Sequence, residues 1–430
     1  MRKDATEAAS QRRIQVLLFG VMLSIAVGNT GLQSVLPAVG RMIGFPDAYV
    51  ALAFSLSALI WAFAAPVWAK HMQPRRARRM VLIGMGGFVA SLLLCGAALS
   101  AGFLGWLSAG AAFVLFSIGR GLYGSLGAAA PPAAQAMLIA QVPRNQRTVA
   151  ISLLASAFGL GTIIGPALAP FFVLPVVGLA GPPFIFGTAG LLMMATVRLM
   201  LPPGFETGRA VAVSDPVIGY EPTEPSLVER ETDGTGVRVA MFDPRIRPWT
   251  VCGIASGHAQ AISAQTMAFL IIDRLAESPQ QAQPLIGMVL MCGAGAALLA
   301  QWGVIPRLRL QPPAMVLWGS IMAMLGTLGC AFAQDLHSLA IVFAIASLGF
   351  GFLRPGYTAG ASLAVSEAEQ AVVAGQVTAS NGLAFVLGPS IGIGLYQFNQ
   401  AAPYLVCAAL MALMIPYLLR TIGRANDSRD

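Results

Sequence analysis

Residues 151–172, ISLLASAFGLGTIIGPALAPFF, are apolar from end to end and about as long as a bilayer-spanning helix, ~20 residues. They contain Gly159, Gly161 and Gly165, then Pro166 and Pro170. In a soluble helix each glycine would cost ~1 kcal/mol and each interior proline ~3 kcal/mol. In a membrane, small residues let a neighbouring helix approach, and Gly161-x-x-x-Gly165 reads as a packing ridge. Pro166 leaves one carbonyl without its helical donor and bends the helix, which neighbours must tolerate. A dinucleotide-binding loop is excluded. The third glycine of GLGTIIG falls one residue late, and no acidic ribose ligand follows about 20 residues on.

The stretch recurs. A shift of 223 residues places Pro132 on Pro355, Val142 on Val365 and Val149 on Val372. The same shift places Gly159-Leu160 on Gly382-Leu383 and Gly165-Pro166 on Gly388-Pro389, with no gap. A register held across a loop and two apolar runs indicates two homologous helical bundles.

Only 10% of the 430 residues are charged and 57% are apolar, with a mean hydropathy of +0.74. That is far from the ~25% charged residues of soluble domains and makes this a polytopic membrane protein. The net charge of +8 does not point to nucleic acid, because most of the 26 Lys+Arg fall in tails and alternate loops, the positive-inside pattern. Cys95, Cys252, Cys292, Cys330 and Cys407 are scattered through apolar runs without a CxxC pair, so packing is expected of them, with neither disulfide nor metal.

Twelve spans are expected, near 14–39, 48–69, 80–100, 106–134, 151–172, 184–201, 249–272, 285–305, 314–333, 338–363, 372–397 and 403–419. The first is too long for a signal-peptide core and stays as a helix. Lys70, Arg75, Arg76, Arg78 and Arg79 mark the loop after the second span as cytoplasmic, which puts both termini inside. The organisation read is a bundle over 1–201, a linker over 202–247 and a second bundle with a short tail over 248–430. The linker holds eight of the 18 acids and several prolines and reads as largely disordered. An acidic loop at 367–370 runs against the charge pattern.

Six plus six helices, the basic loop and the GLGTIIGPALAP run resemble the major facilitator superfamily, most closely its twelve-span drug:proton antiporter branch. RGLYGSLGAAAPPAAQAML, from Arg120, is similar to that branch's fourth helix, and VLPAVGRMIGFPDAYVAL to the end of its first helix and start of its second. The loop pattern G-x-L-a-D-r-x-G-r-r is barely kept in PVWAKHMQPRRARR, where Lys70 stands roughly at the family's aspartate. The resemblance implies an all-α fold of two pseudo-symmetric six-helix bundles and transport by alternating access. Under it, Gly159, Gly161, Gly165, Pro166, Gly388 and Pro389 are gating or packing residues.

Hydrocarbon penalises charge, and an arginine at a helix centre costs ~2.5–3.5 kcal/mol on insertion scales. Arg120 and Arg354 are therefore candidate substrate-binding residues, with clamps on backbone carbonyls as the structural alternative. Arg354 falls at Arg354-Pro355-Gly356, where a helix break would offer such carbonyls. Asn29 and Gln33 share a helix face and are expected to look into a cavity, and with Gln265 they are further candidate substrate-binding residues. His258, seven residues before Gln265, is the candidate proton-coupling group, because free imidazole titrates at ~6.5. No carboxylate is placed mid-span, which removes the usual proton acceptor and favours a neutral or anionic substrate.

With Lys3 and Lys70 as the only lysines, no phosphate-binding loop ending in Gly-Lys-Ser/Thr exists, which excludes an ATP-driven pump. Three histidines and no buried acid provide no catalytic constellation. The function expected is proton-coupled efflux of an amphipathic organic compound; the alternative is a dedicated carrier of an organic anion, such as a carboxylate metabolite or siderophore. The partners expected are that small molecule, protons and the bilayer of a bacterial inner membrane. Neither a cofactor nor nucleic acid is called for, and a monomer is expected.

Overall fold

The structure, a computed structural model, describes residues 2–71, 76–139, 147–174, 176–201, 239–275, 278–366 and 369–427. Twelve helices fill them. The first three are α1 Arg2–Ile43, α2 Asp47–Lys70 and α3 Ala77–Phe103. Helix α4 runs over Ala109–Ser125 and continues through a 3-10 turn at Gly127–Ala129 into Ala130–Ile139. Helix α5 covers Arg147–Leu168 and tightens into a 3-10 turn at Ala169–Phe172; α6 is Gly181–Met200. Helix α7 is Arg247–Leu275, and α8 runs over Pro279–Leu298, a π segment at Leu299–Val304 and Ile305–Leu308. The last four are α9 Pro312–Phe332, α10 Leu336–Leu363, α11 Gln370–Phe398 and α12 Ala402–Asp427.

Proline sets the irregular turns. Pro131 and Pro132 have no N–H for the carbonyls of Gly127 and Ala128, and the helix narrows there. Pro306 likewise deprives the carbonyl of Trp302, inside the π segment. Helix α4 begins later than the expected position 106. Gly105 has φ +73, and the Ser108 hydroxyl caps the helix by accepting the N–H of Ala111, leaving Trp106 exposed in the turn. Asp335 caps α10 in the same way, accepting the N–H groups of His337 and Ser338 at 3.0 Å.

Nine of the helices are long and apolar enough to cross a membrane, counted over the described residues. In α5 and α11 the described apolar stretches are shorter, Ser156–Phe172 and Gly382–Phe398. Helix α7 falls short for another reason, its polar side chains. Ser256, Ser263 and Thr266 donate to the carbonyls four residues back, at 2.7, 2.7 and 2.9 Å, so these three hydroxyls are bonded inside the helix.

The chain divides into two compact units, Met1–Phe45 with Leu56–Pro222, and Pro46–Ser55 with Thr223–Asp430. In the first, α1 packs on α5 and α6, and α3 packs on α4 and α6. In the second, α7 packs on α11 and α12, and α9 packs on α10 and α12. These are the same pairings under the repeat, so the fold is two pseudo-symmetric six-helix bundles. The expected linker over 202–247 lies outside the described residues up to 238. From Val239 onward the chain is packed: Val239 and Ile246 are buried with Trp249, Phe350 and Tyr357, and Gln376 donates to the Val239 carbonyl.

Candidate functional site

Arg120 is in the fourth turn of α4, 2% exposed, and is the only charged residue among the described buried ones. Its Nη1 donates to Asn29 Oδ1 of α1 at 3.0 Å. Its guanidinium carbon lies 4.9 Å from the centroid of the Tyr123 ring, three residues on along the same helix. Tyr123 in turn packs on the buried Trp61 of α2, ring centroids 5.1 Å apart, and edge-on to Phe88 of α3 at 6.2 Å. The Ser57 hydroxyl donates to the backbone carbonyl of Arg120 at 3.0 Å. Helices α1, α2, α3 and α4 thus converge on one cation. The contact to Asn29 is with its side-chain oxygen. Tyr123, Trp61 and Ser57 did not stand out in the sequence, although Tyr123 could have been found from its i+3 spacing to Arg120.

The other candidates are placed as follows. Gln33, one turn after Asn29, is half-buried. Gln265 of α7 is 3% exposed. His258 is half-buried, and its Nδ1 lies 2.8 Å from the Ile254 carbonyl. A carbonyl only accepts, so Nδ1 carries the proton and Nε2 is the nitrogen that can take one up. Arg354 is half-buried in α10. The helix break expected beside it is absent: α10 runs continuously through Pro355, because one proline removes one hydrogen bond while Gly356 packs on Met315 and Val316 of α9. The structure brings Arg120 and Asn29 together in the first unit, while Arg354, His258 and Gln265 lie in the second.

The glycine ridge has a defined partner. A methyl on Gly165 would stand 2.5 Å from the Val27 carbonyl oxygen and 2.8 Å from the Gly31 nitrogen, both in α1. Gly161 faces Ala26 and the Leu23 carbonyl on the same helix, and the Thr30 hydroxyl donates to the Gly161 carbonyl at 3.2 Å. Gly159 accepts from the Thr162 hydroxyl at 2.7 Å, and Pro166 is buried one residue past the contact. In the second unit Gly388 faces Ala261 of α7, with Pro389 buried beside it.

Two further charged features were missed. Arg274, at the end of α7, donates to the carbonyls of Cys330, Ala331 and Ala333 at 3.1, 2.9 and 2.6 Å, capping the C-terminus of α9. Ahead of α7, Arg245 forks onto two carboxylates. It reaches Asp243 at 3.0 Å and Glu369, in the turn before α11, at 2.8 and 3.1 Å. The Arg245 guanidinium, and then the Ser366 hydroxyl and N–H, pull the Glu369 carboxyl down to about 2. Asp243 is lowered by the same guanidinium. The acidic loop that ran against the charge pattern is therefore partnered by an arginine from the segment preceding α7.

A family model described as Major Facilitator Superfamily matches residues 17–375. No curated protein matches the chain. Among solved structures, the chain is similar to a bacterial homolog of the human lysosomal transporter Spinster in an inward-facing, unoccupied conformation. That match has 14% identity and a TM-score of 0.67, covering 96% of this chain and 95% of that one. It is also similar to the nucleoside transporter NupG, at 13% identity and TM-score 0.68, over 96% and 99% of the two chains. A third is the human organic anion transporter MFSD10, at 17% identity and TM-score 0.59, over 95% and 99%. At these identities the structures show a shared fold alone. The match to the family model covers well over half of the chain, and with twelve helices in two repeated bundles this protein belongs to the Major Facilitator Superfamily of membrane transporters.

Proposed function

We propose that the chain is a secondary transporter of an amphipathic organic anion, working by alternating access. The observation that carries this is Arg120: a permanent cation, buried, set among an amide and an aromatic face, with no carboxylate among the described buried residues. Arginine does not deprotonate in a protein, and its planar fork matches a carboxylate at two points. The carboxylates whose side chains are described, Asp47, Asp243, Asp273, Asp335 and Glu369, are at helix ends or between helices. That MFSD10 carries organic anions on this fold is compatible with the reading.

A second reading is proton-coupled drug efflux, and the Gly161–Gly165 ridge against α1 favours it, since it matches the antiporter branch's helix-5 pattern. His258 Nε2 would serve as the proton acceptor in either case. The two readings part on substrate charge. In proteoliposomes offered radiolabelled organic anions, neutral amphiphiles and lipophilic cations, the first expects flux of anions alone. Flux of cations without anions contradicts it. Both termini are placed in the cytoplasm, on the strength of the basic loop after α2.

A further inference from the structure

Helices α3 and α6 pack together, with glycines of α6 at the contact. Gly187 lies against Leu92 and Leu93, and Gly190 against Phe88 and Val89. Beyond that point a methyl on Gly86 would meet only the Met194 sulfur, at 3.9 Å. Past these contacts a groove of about 320 Å³ opens, lined by Leu82, Ile83, Met194, Ala195 and Arg198. Its walls are aliphatic and its end is cationic. Arg198 is exposed, and among the described residues no acidic side chain pairs with it. Arg78, one turn before Leu82, brings a second guanidinium to the same end, its Nη2 2.8 Å from the Arg198 carbonyl.

We propose that this groove binds an anionic phospholipid, an acyl chain lying along Leu82, Ile83, Met194 and Ala195 and the phosphate on the Arg198 guanidinium. Charge complementarity selects this occupant. A neutral lipid would fill the aliphatic part but leave Arg198 without a countercharge, and a soluble anion would leave the aliphatic walls uncovered. The groove belongs to one unit and opens at the end of α3 that follows the basic loop, the side where the positive-inside pattern meets the anionic leaflet. Basic pockets between membrane helices at that level are suited to phosphate headgroups.

The test is native mass spectrometry of the full chain in detergent, titrated with equal amounts of dioleoyl-phosphatidylglycerol and dioleoyl-phosphatidylcholine. The unmodified protein should retain phosphatidylglycerol in preference. Arg198→Ala should cut that preference by about fivefold, the size expected of one basic residue at a membrane surface. Arg198→Lys should keep most of it, and Met194→Trp, which fills the groove, should lower retention of both lipids. Arg198 is exposed, so its two variants should elute as the unmodified protein does. An unchanged preference in Arg198→Ala, equal retention of both lipids by the unmodified protein, or displacement of the lipid by millimolar inorganic phosphate would each overturn the proposal.

Discussion

A guanidinium keeps its charge throughout a transport cycle, so what surrounds Arg120 is as important as the residue itself. Asn29 supplies a neutral acceptor and Tyr123 the negative face of its ring. His258 is the complementary case, an imidazole whose tautomer is set by the Ile254 carbonyl and whose Nε2 can accept a proton. If that nitrogen carries the coupling proton, His258→Ala should flatten the pH dependence of transport while leaving downhill exchange of substrate intact. Measured as initial rates across pH 5.5–8.5, a retained pH profile assigns the coupling elsewhere.

Between elements, two contacts hold the structure in ways that can be tested separately. Gly165 brings α5 onto α1, where a methyl would meet the Thr30 hydroxyl and also the backbone at Val27 and Gly31, which cannot give way. Overpacking of this kind costs typically about 1–3 kcal/mol, so Gly165→Ala should lower the midpoint of thermal unfolding, and Gly165→Leu should sharply reduce folded protein recovered from the membrane. Equal recovery of Gly165→Leu would mean the helices separate freely. The fork of Arg245 on Asp243 and Glu369 ties the approach to α7 to the start of α11. Because Glu369 is held near 2, below its ordinary value of ~4.3, its contribution to stability is complete above that ordinary value and is lost as the pH falls through about 2. Arg245→Ala should accelerate amide exchange around Glu369 at neutral pH. In the unmodified protein the same acceleration should appear only on acidification below about pH 4.

At the scale of the whole molecule, the repeat was legible because its marks are backbone requirements. Gly165-Pro166 and Gly388-Pro389 announce a close helix contact wherever they fall, and each meets the first helix of its own unit. Helix boundaries were legible to within a few residues where caps or glycine set them, as at Ser108. Less legible were the partners. Nothing in the sequence pairs Arg245 with Glu369, 124 residues away, or sends Arg274 to the end of α9, because such contacts exist only once helices are packed. Arg120 could be singled out by its cost in hydrocarbon, whereas the roles of Tyr123 and Trp61 emerged from packing. Whether that arginine faces the substrate is decided by anion flux into proteoliposomes for the unmodified protein, Arg120→Lys and Arg120→Ala, at matched amounts of folded protein. Loss of charge-assisted bonds to the substrate should lower flux about tenfold or more in Arg120→Ala, with an intermediate loss in Arg120→Lys, which keeps the charge but not the fork. Normal anion flux in Arg120→Ala would contradict the reading and leave Arg120 as a structural tie between α4 and α1.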